Sequence, residues 1–315
     1  MTDSWGITQA INLADAHRQM TMTMPIALPP VPDEQRVVPV HVTARIQDIR
    51  PVGAYRELTL VAPGVSAGAE PGHFITLAVG GRTSALLLRR AFALSGVGGD
   101  TVSVVVAANG PGTQWIVQRR PGDVVDLIGP LGRPFPLSPP GDAALLVAGG
   151  YGAAPFVGLA QRLRAGGHAV AAVLGAATAD RLCAVEELRG LTQVLAVTTE
   201  DGSAGRPGRV TDVLPELLPG AAVVYACGPM PMLAAVAAQA GERGLTCHVS
   251  VEEAMACGIG VCMTCVLPVV GADGRSRFVR SCVDGPVFEG STVRFDDIGT
   301  LPEDLYGAAA MRGAP

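Results

Sequence analysis

Ala143-Ala144-Leu145-Leu146-Val147-Ala148 runs without a break into Gly149-Gly150-Tyr151-Gly152-Ala153-Ala154-Pro155, and helix-like text follows to Arg164. An apolar run ending in a glycine-rich turn reads as a buried strand that feeds a helix. Such a turn aims backbone N–H groups and the positive helix end at a phosphate, which makes Gly149, Gly150 and Gly152 candidates for a dinucleotide site. The same turn also occurs for packing alone. Downstream, strand-like Ala169–Leu174, Val194–Thr198 and Ala221–Ala226 alternate with helical text and predict a parallel α/β sheet. Tyr225-Ala226-Cys227-Gly228-Pro229-Met230 ends a further strand at the same edge. Open α/β sheets hold ligands at that carboxyl edge.

Upstream of this sheet the text changes. From about His41 to Leu137, short β-rich runs such as Glu57–Val61, Phe74–Val79 and Thr101–Ala107 are separated by Gly, Pro and Asp turns, which suits a small antiparallel barrel. Residues 1–36 show no sustained pattern. Their proline-rich stretch, Pro25-Ile26-Ala27-Leu28-Pro29-Pro30-Val31-Pro32, reads as an extension or linker.

Downstream, Cys257-Gly258-Ile259-Gly260-Val261-Cys262-Met263-Thr264-Cys265 and the distant Cys282 give C-x4-C-x2-C followed by one more cysteine. This is the spacing of a plant-type [2Fe–2S] site. Two glycines let the loop curl tightly and point N–H groups at sulfur. Structural zinc, a disulfide framework and buried thiols are the alternatives. Zinc sites usually pair two C-x2-C knuckles, and only one is present here; disulfide frameworks belong to short secreted chains. Cys183, Cys227 and Cys247 lie outside the loop and read as buried or site-lining thiols.

The chain's 315 residues, 49% of them hydrophobic, suffice for two or more domains. A net charge of -5, a pI near 5.5 and dispersed basic residues argue against nucleic-acid binding. Met1-Thr2-Asp3-Ser4-Trp5 shows no basic segment leading into an apolar core, so a reducing cytoplasm is expected. Ala143–Ala160 and Gly220–Ala240 are long and uncharged, but their glycines and prolines read as strand, turn and helix rather than a membrane span. The five histidines are scattered, and no acid–base constellation is evident, so no catalytic residue is assigned.

Leu88-Arg89-Arg90-Ala91-Phe92-Ala93-Leu94 sets two arginines beside an aromatic ring in apolar text, and a buried arginine wants an anion. Together with Pro71-Gly72-His73-Phe74, Gly112-Thr113, the Gly149–Pro155 turn, Thr199-Glu200-Asp201-Gly202-Ser203, Cys227-Gly228-Pro229, the cysteine loop and Cys282-Val283-Asp284-Gly285-Pro286-Val287-Phe288, this order resembles ferredoxin–NAD(P) reductase-like flavoproteins. Within them it most resembles the electron transfer subunits of class 1B dihydroorotate dehydrogenase, over about residues 38–296.

The resemblance implies an antiparallel β-barrel FAD domain, a parallel α/β nucleotide-binding domain and a small C-terminal [2Fe–2S] domain. Their expected limits are 38–140, 141–250 and 251–296, with 1–37 an extension and 297–315 a tail. Arg90, Ala91, Phe92, Ala93, Val105, Val106, Ala107, Gly112 and Thr113 would bind FAD, Arg90 on the pyrophosphate. Gly149, Gly150, Gly152, Thr199, Asp201, Cys227, Gly228, Pro229 and Met230 would frame NAD(H), and Cys257, Cys262, Cys265 and Cys282 would hold the cluster. The family usually has Ser or Thr where Ala93 stands, facing flavin N5, so that hydrogen bond would come from backbone or from a residue such as Ser95, or be absent. Only Arg181 stands near for a 2′-phosphate, which favours NAD.

The implied activity is NAD-linked electron transfer in pyrimidine biosynthesis. An FMN-containing dihydroorotate dehydrogenase catalytic subunit would be the partner, in a heterotetramer. The competing readings are a flavin and iron–sulfur NAD(P)H reductase subunit of a hydrogenase- or transhydrogenase-type complex, and a non-catalytic zinc-binding module.

Overall fold

The computed structural model describes residues 37–81, 84–305 and 308. All that follows concerns the unit 37–315. The proline-rich stretch lies outside the described residues.

Alternation builds the first layer. β1 (Val40–Val52), β2 (Tyr55–Val61), the short helix α1 (Pro63–Ser66), β3 (Phe74–Leu77), β4 (Arg90–Gly98), β5 (Thr101–Val106), α2 (Pro111–Val117) and β6 (Val124–Leu131) follow in order. The strands close into an antiparallel barrel, β1-β2-β5-β4-β3-β6. On β5 every second residue, Val102, Val104 and Val106, turns inward to meet Leu58, Leu60, Ile75 and Leu127. Closure leaves no unpaired edge. The expected barrel is borne out.

The second layer is a sheet. β7 (Ala144–Gly149), α3 (Phe156–Ala165), β8 (Val170–Ala176), α4 (Val185–Arg189), β9 (Val194–Thr199), β10 (Arg206–Pro207), α5 (Val210–Leu217), β11 (Val223–Cys227), α6 (Met230–Gly241) and β12 (Thr246–Ser250) alternate as expected. The apolar runs are continuous because both faces of the central strands are buried: Ala144 through Ala148 are all enclosed. A single 3-10 turn over Gly150–Ala153 separates β7 from α3.

Two further strands, β13 (Val266–Val270) and β14 (Ser276–Arg280), form a hairpin beyond the cysteine loop. The chain then returns to the sheet as β15 (Val287–Glu289), which pairs antiparallel with β12 through His248–Glu289, Val249–Phe288 and Ser250–Val287. The sheet order is β10-β9-β8-β7-β11-β12-β15. The chain winds outward from β7 in one direction and restarts at β11 in the other, so the crevice between the ends of β7 and β11 is a topological switch point, where such sheets bind ligands.

Barrel and sheet are fastened together. Tyr225 Oη donates to the Pro136 carbonyl (2.9 Å) and accepts from the Ser138 amide (3.2 Å). The Ala54 amide donates to the Asp180 carbonyl at 2.7 Å. Among the described residues no helix is long and apolar enough to cross a membrane.

Candidate functional site

The first cavity opens where β4 faces the glycine turn. It measures about 370 Å³ and its wall includes Phe74, Ala91, Phe92, Ala93, Val105 and Gly152. Cys227 and Glu252 also reach it. Arg90, the first residue of β4, holds its guanidinium over Gly112: a Cβ on Gly112 would lie 2.7 Å from Arg90 Nε. Its NH1 donates to the Leu88 carbonyl at 2.6 Å. Thr113 caps its own helix, since its hydroxyl donates to the Gly110 carbonyl and accepts from the Gly110 amide, each at 3.1 Å. Val106 points the other way, into the barrel core, and Ala107 packs against the core of the sheet.

Arg89 is committed elsewhere. Its guanidinium donates to Asp126 Oδ1 (2.5 Å), the Asp126 carbonyl (2.9 Å) and Thr76 Oγ1 (3.1 Å). Ser95 does not stand in for the missing hydroxyl at Ala93: it donates to Glu57 Oε1 at 3.2 Å and lines a separate cleft against α3.

A second cavity, of about 440 Å³, occupies the switch-point crevice. Gly149, Gly150 and Pro229 line it, as do Gly175, Arg181 and Arg209. At the first cavity the glycine turn meets the end of β11 closely, since a Cβ on Gly152 would lie 2.4 Å from the Cys227 carbonyl oxygen, an approach only glycine permits. Gly228 and Gly149 are also close, with 3.0 Å from a Cβ on Gly228 to the Gly149 amide nitrogen.

Thr199, Asp201 and Met230 line neither cavity. Thr199 closes its own loop, donating to the Ala204 carbonyl (2.8 Å) and accepting from the Ala204 amide (2.9 Å). Asp201 accepts from the Ser203 hydroxyl (2.6 Å) and amide (3.0 Å), and the hydroxyl bond holds its carboxyl below the usual range. Met230 packs against the sheet's hydrophobic core.

Two residues not singled out by their chemistry join the cavities. Tyr151 and Glu252 line both. The Tyr151 ring stands edge-on to Tyr55, with centroids 5.6 Å apart, and Tyr55 Oη donates to the Arg181 carbonyl at 3.1 Å. Burial pushes the Glu252 carboxyl up, and burial first, with the Glu252 charge second, pushes the Cys227 thiol up to about 12.

The cysteine loop lies on the barrel. Cys265 and Cys282 are buried with Phe74 and Leu131, while Cys262 is exposed. Cys257, between them, is half-buried. Among the described residues no three His, Cys, Asp or Glu side chains gather about one point as a single ion would require. Gly258 (φ +73°) turns back against the barrel, and the Ile259 amide points at Cys257 Sγ, 3.4 Å away. Arg280 holds the loop through the Gly260 carbonyl at 3.0 Å.

The chain is 39% identical over 241 residues to the electron transfer subunit of dihydroorotate dehydrogenase B (NAD(+)) of Bacillus caldolyticus, covering 75% of this chain and 91% of that one. It belongs to the family of dihydroorotate dehydrogenase B electron transfer subunits. A probable member from Methanopyrus kandleri is 40% identical, over 76% of this chain and 86% of its own. The profile of the iron–sulfur cluster binding domain of dihydroorotate dehydrogenase B matches residues 252–294, which contain all four loop cysteines, and that of the oxidoreductase NAD-binding domain matches 146–238. Among solved structures, a chain of the NADH-dependent reduced ferredoxin–NADP oxidoreductase superposes with a TM-score of 0.71 and 30% identity, over 85% of this chain and 94% of that one. This family member is therefore an NAD-linked electron-transfer oxidoreductase subunit of reductase fold, and a subunit implies a catalytic partner.

Proposed function

We propose that this chain carries electrons between the FMN of a dihydroorotate dehydrogenase catalytic subunit and NAD, through one [2Fe–2S] cluster and FAD, as a step of pyrimidine biosynthesis. The observation that carries this reading is a series of shared walls. Phe74 packs with Cys265 and Cys282 and also lines the first cavity; Tyr151 and Glu252 belong to both cavities. When bound, a cluster exchanges single electrons, a nicotinamide exchanges a hydride and a flavin does both, so flavin belongs in the middle position.

The residues fit these groups. Cys257, Cys262, Cys265 and Cys282 would hold the cluster, with Cys265 and Cys282 packed against the barrel and Cys262 at the surface, in the C-x4-C-x2-C spacing of a two-iron site. Arg90, beside the backbone of Gly112 and Thr113, would hold a pyrophosphate by charge-assisted bonds. Small Ala91 and Ala93, with Phe92 and Val105, offer a planar ring an apolar wall that Val106 supports from behind, with Ala107 beside Val105 on the side of the sheet. Ala93 leaves the ring's N5 edge to backbone groups. Gly149, Gly150, Gly228 and Pro229 would frame the dinucleotide, and Gly152 with Cys227 would set the depth of the corner where the two rings meet. Single-electron exchange with the partner needs the loop at the interface, and Ile259, Val261 and Met263 are exposed there. A cytoplasmic setting suits seven unpaired cysteines.

The purified chain should show flavin and iron–sulfur absorption and oxidise NADH with an artificial acceptor. It should form no orotate until an FMN-bearing catalytic subunit is added. A colourless protein holding one zinc, or orotate formed by this chain alone, would sink the reading.

A further inference from the structure

The dinucleotide cleft has two distinguishable ends. One is marked by Tyr151 and Glu252, the residues it shares with the first cavity. The sheet order β9-β8-β7-β11-β12 sets the other at the end of β9, with Glu200 and, 3.9 Å from it, Arg209, while Arg181 follows β8 on the same side of the switch point. On the reading that this cleft takes a nicotinamide dinucleotide, the reacting ring must meet the flavin at the shared wall, because hydride transfer needs contact between the rings. The adenosine half then falls among the three charged residues. NAD and NADP differ only in that half, by one phosphate on the 2′-hydroxyl.

The three side chains are carried on fixed backbone. The Glu200 amide donates to the Ala176 carbonyl at 3.0 Å, at the ends of the neighbouring strands β8 and β9. The Arg181 amide donates to the Thr178 carbonyl (3.0 Å), and the Arg181 carbonyl accepts from Tyr55 Oη. The Arg209 amide donates to Asp212 Oδ2 at 2.7 Å. Arg209 Nε lies 3.9 Å from Glu200 Oε1, and both side chains are mostly exposed, 74% and 55%, so the pair is loose enough to open for a ligand. The other nearby carboxylates are used elsewhere: Asp180 meets the Thr178 hydroxyl and Asp201 meets Ser203.

We propose that Glu200 is the residue that makes this cleft select NAD(H) over NADP(H). Its carboxylate accepts a hydrogen bond from a ribose hydroxyl and repels a phosphate in the same place. Arg181 and Arg209 on the same rim would otherwise receive that phosphate, since two guanidiniums are well suited to a dianion. Selectivity here is a repulsive element laid over an attractive one. Removing the single negative charge should expose a latent phosphate site.

The test uses the flavin- and iron-loaded chain with 2′,5′-ADP and 5′-AMP, which differ by the 2′-phosphate alone. By calorimetry, Glu200→Gln should bind 2′,5′-ADP about tenfold more tightly than the wild type, as expected for lifting one like-charge contact near a protein surface. The preference for 2′,5′-ADP over 5′-AMP should rise by the same factor. The kcat/KM ratio for NADPH over NADH should follow, and Arg209→Ala added to Glu200→Gln should remove the gain. Glu200→Ala should change both ratios in the same direction and serves if the glutamine variant is poorly made. Unchanged ratios in either variant, with flavin and iron retained, overturn the proposal while leaving the cleft assignment intact. A wild type that binds neither nucleotide and fails to oxidise NADH overturns both.

Discussion

Gly258 of the cysteine loop sits directly on Thr76 of the barrel: a Cβ added to Gly258 would lie 2.6 Å from Thr76 Cγ2. Thr76 has little room to yield, because its hydroxyl is held by Arg89 Nε at 3.1 Å. The φ of +73° at Gly258 adds backbone strain for any other residue. Gly258→Ala should cost about 1–2 kcal/mol from the left-handed backbone alone, plus the steric contact, and should lower the iron-to-protein ratio. Gly274 is the control, with a φ of +75° and open space around it. Gly274→Ala should carry only the backbone cost and keep its iron. Equal iron content in the two variants would contradict a tight seat.

Cys282→Ser should lose or destabilise the cluster while flavin stays bound. Cys183→Ser and Cys247→Ser should keep full iron, since these thiols are buried in the sheet's cores. Iron analysis and visible spectra of the three proteins decide the matter. Full iron in Cys282→Ser would remove it as fourth ligand.

The two adjacent arginines should separate cleanly. Arg90→Ala should purify largely without flavin and melt near the wild-type apoprotein, because its described bonds go to nearby carbonyls of its own segment. Arg89→Ala should instead destabilise the barrel by about 2 kcal/mol, the scale of losing charged hydrogen bonds, since it ties Asp126 to Thr76. Flavin content and denaturant midpoints measure the two effects. Stoichiometric flavin in Arg90→Ala would redirect attention to other anchors.

His73 gives the fold an acid sensitivity. Its ring is buried and Nδ1 accepts from the Glu70 amide at 2.9 Å, so burial lowers its pKa to about 4 from the ordinary 6.5. Between those values the unfolded chain binds more protons than the folded one, so stability rises with pH. The contribution is full above 6.5 and is lost as pH falls toward 4, on the order of 3 kcal/mol across the window. Urea midpoints of His73→Gln between pH 4.5 and 7 should show a shallower slope than the wild type. Parallel slopes would rule out His73 as the source.

Much of this architecture was legible because burial leaves periodic marks. Val102, Val104 and Val106 alternate, and Ala144–Ala148 do not, which is the difference between a barrel strand and a central sheet strand. The cysteine spacing is local and survives without knowledge of the fold. What escaped depends on distant pairing. β15 is three residues long, too short for a period, and exists because Val287–Glu289 meets β12. Met230 follows a Cys-Gly-Pro run and reads as part of the cleft, and the first turn of α6 packs it, half-buried, against the sheet's core. Val105 and Val106 could have been parted by period two alone. Tyr151 and Glu252 gain their shared position only where three segments converge, and Arg209 reaches Arg181's cleft only through the turns around β10.

The pairing of β15 with β12 also sets how this chain can move. The polypeptide leaves β12 at Ser250, makes the cysteine loop and hairpin, and comes back beside its point of departure, with Val287 opposite Ser250. The loop is thus a closed excursion clamped at its neck, unlike a module swinging on a tether. Electrons crossing inside this chain have no diffusive docking step to wait for, so the intramolecular rate should be indifferent to solvent viscosity, and only encounters with soluble nucleotide should slow in glycerol.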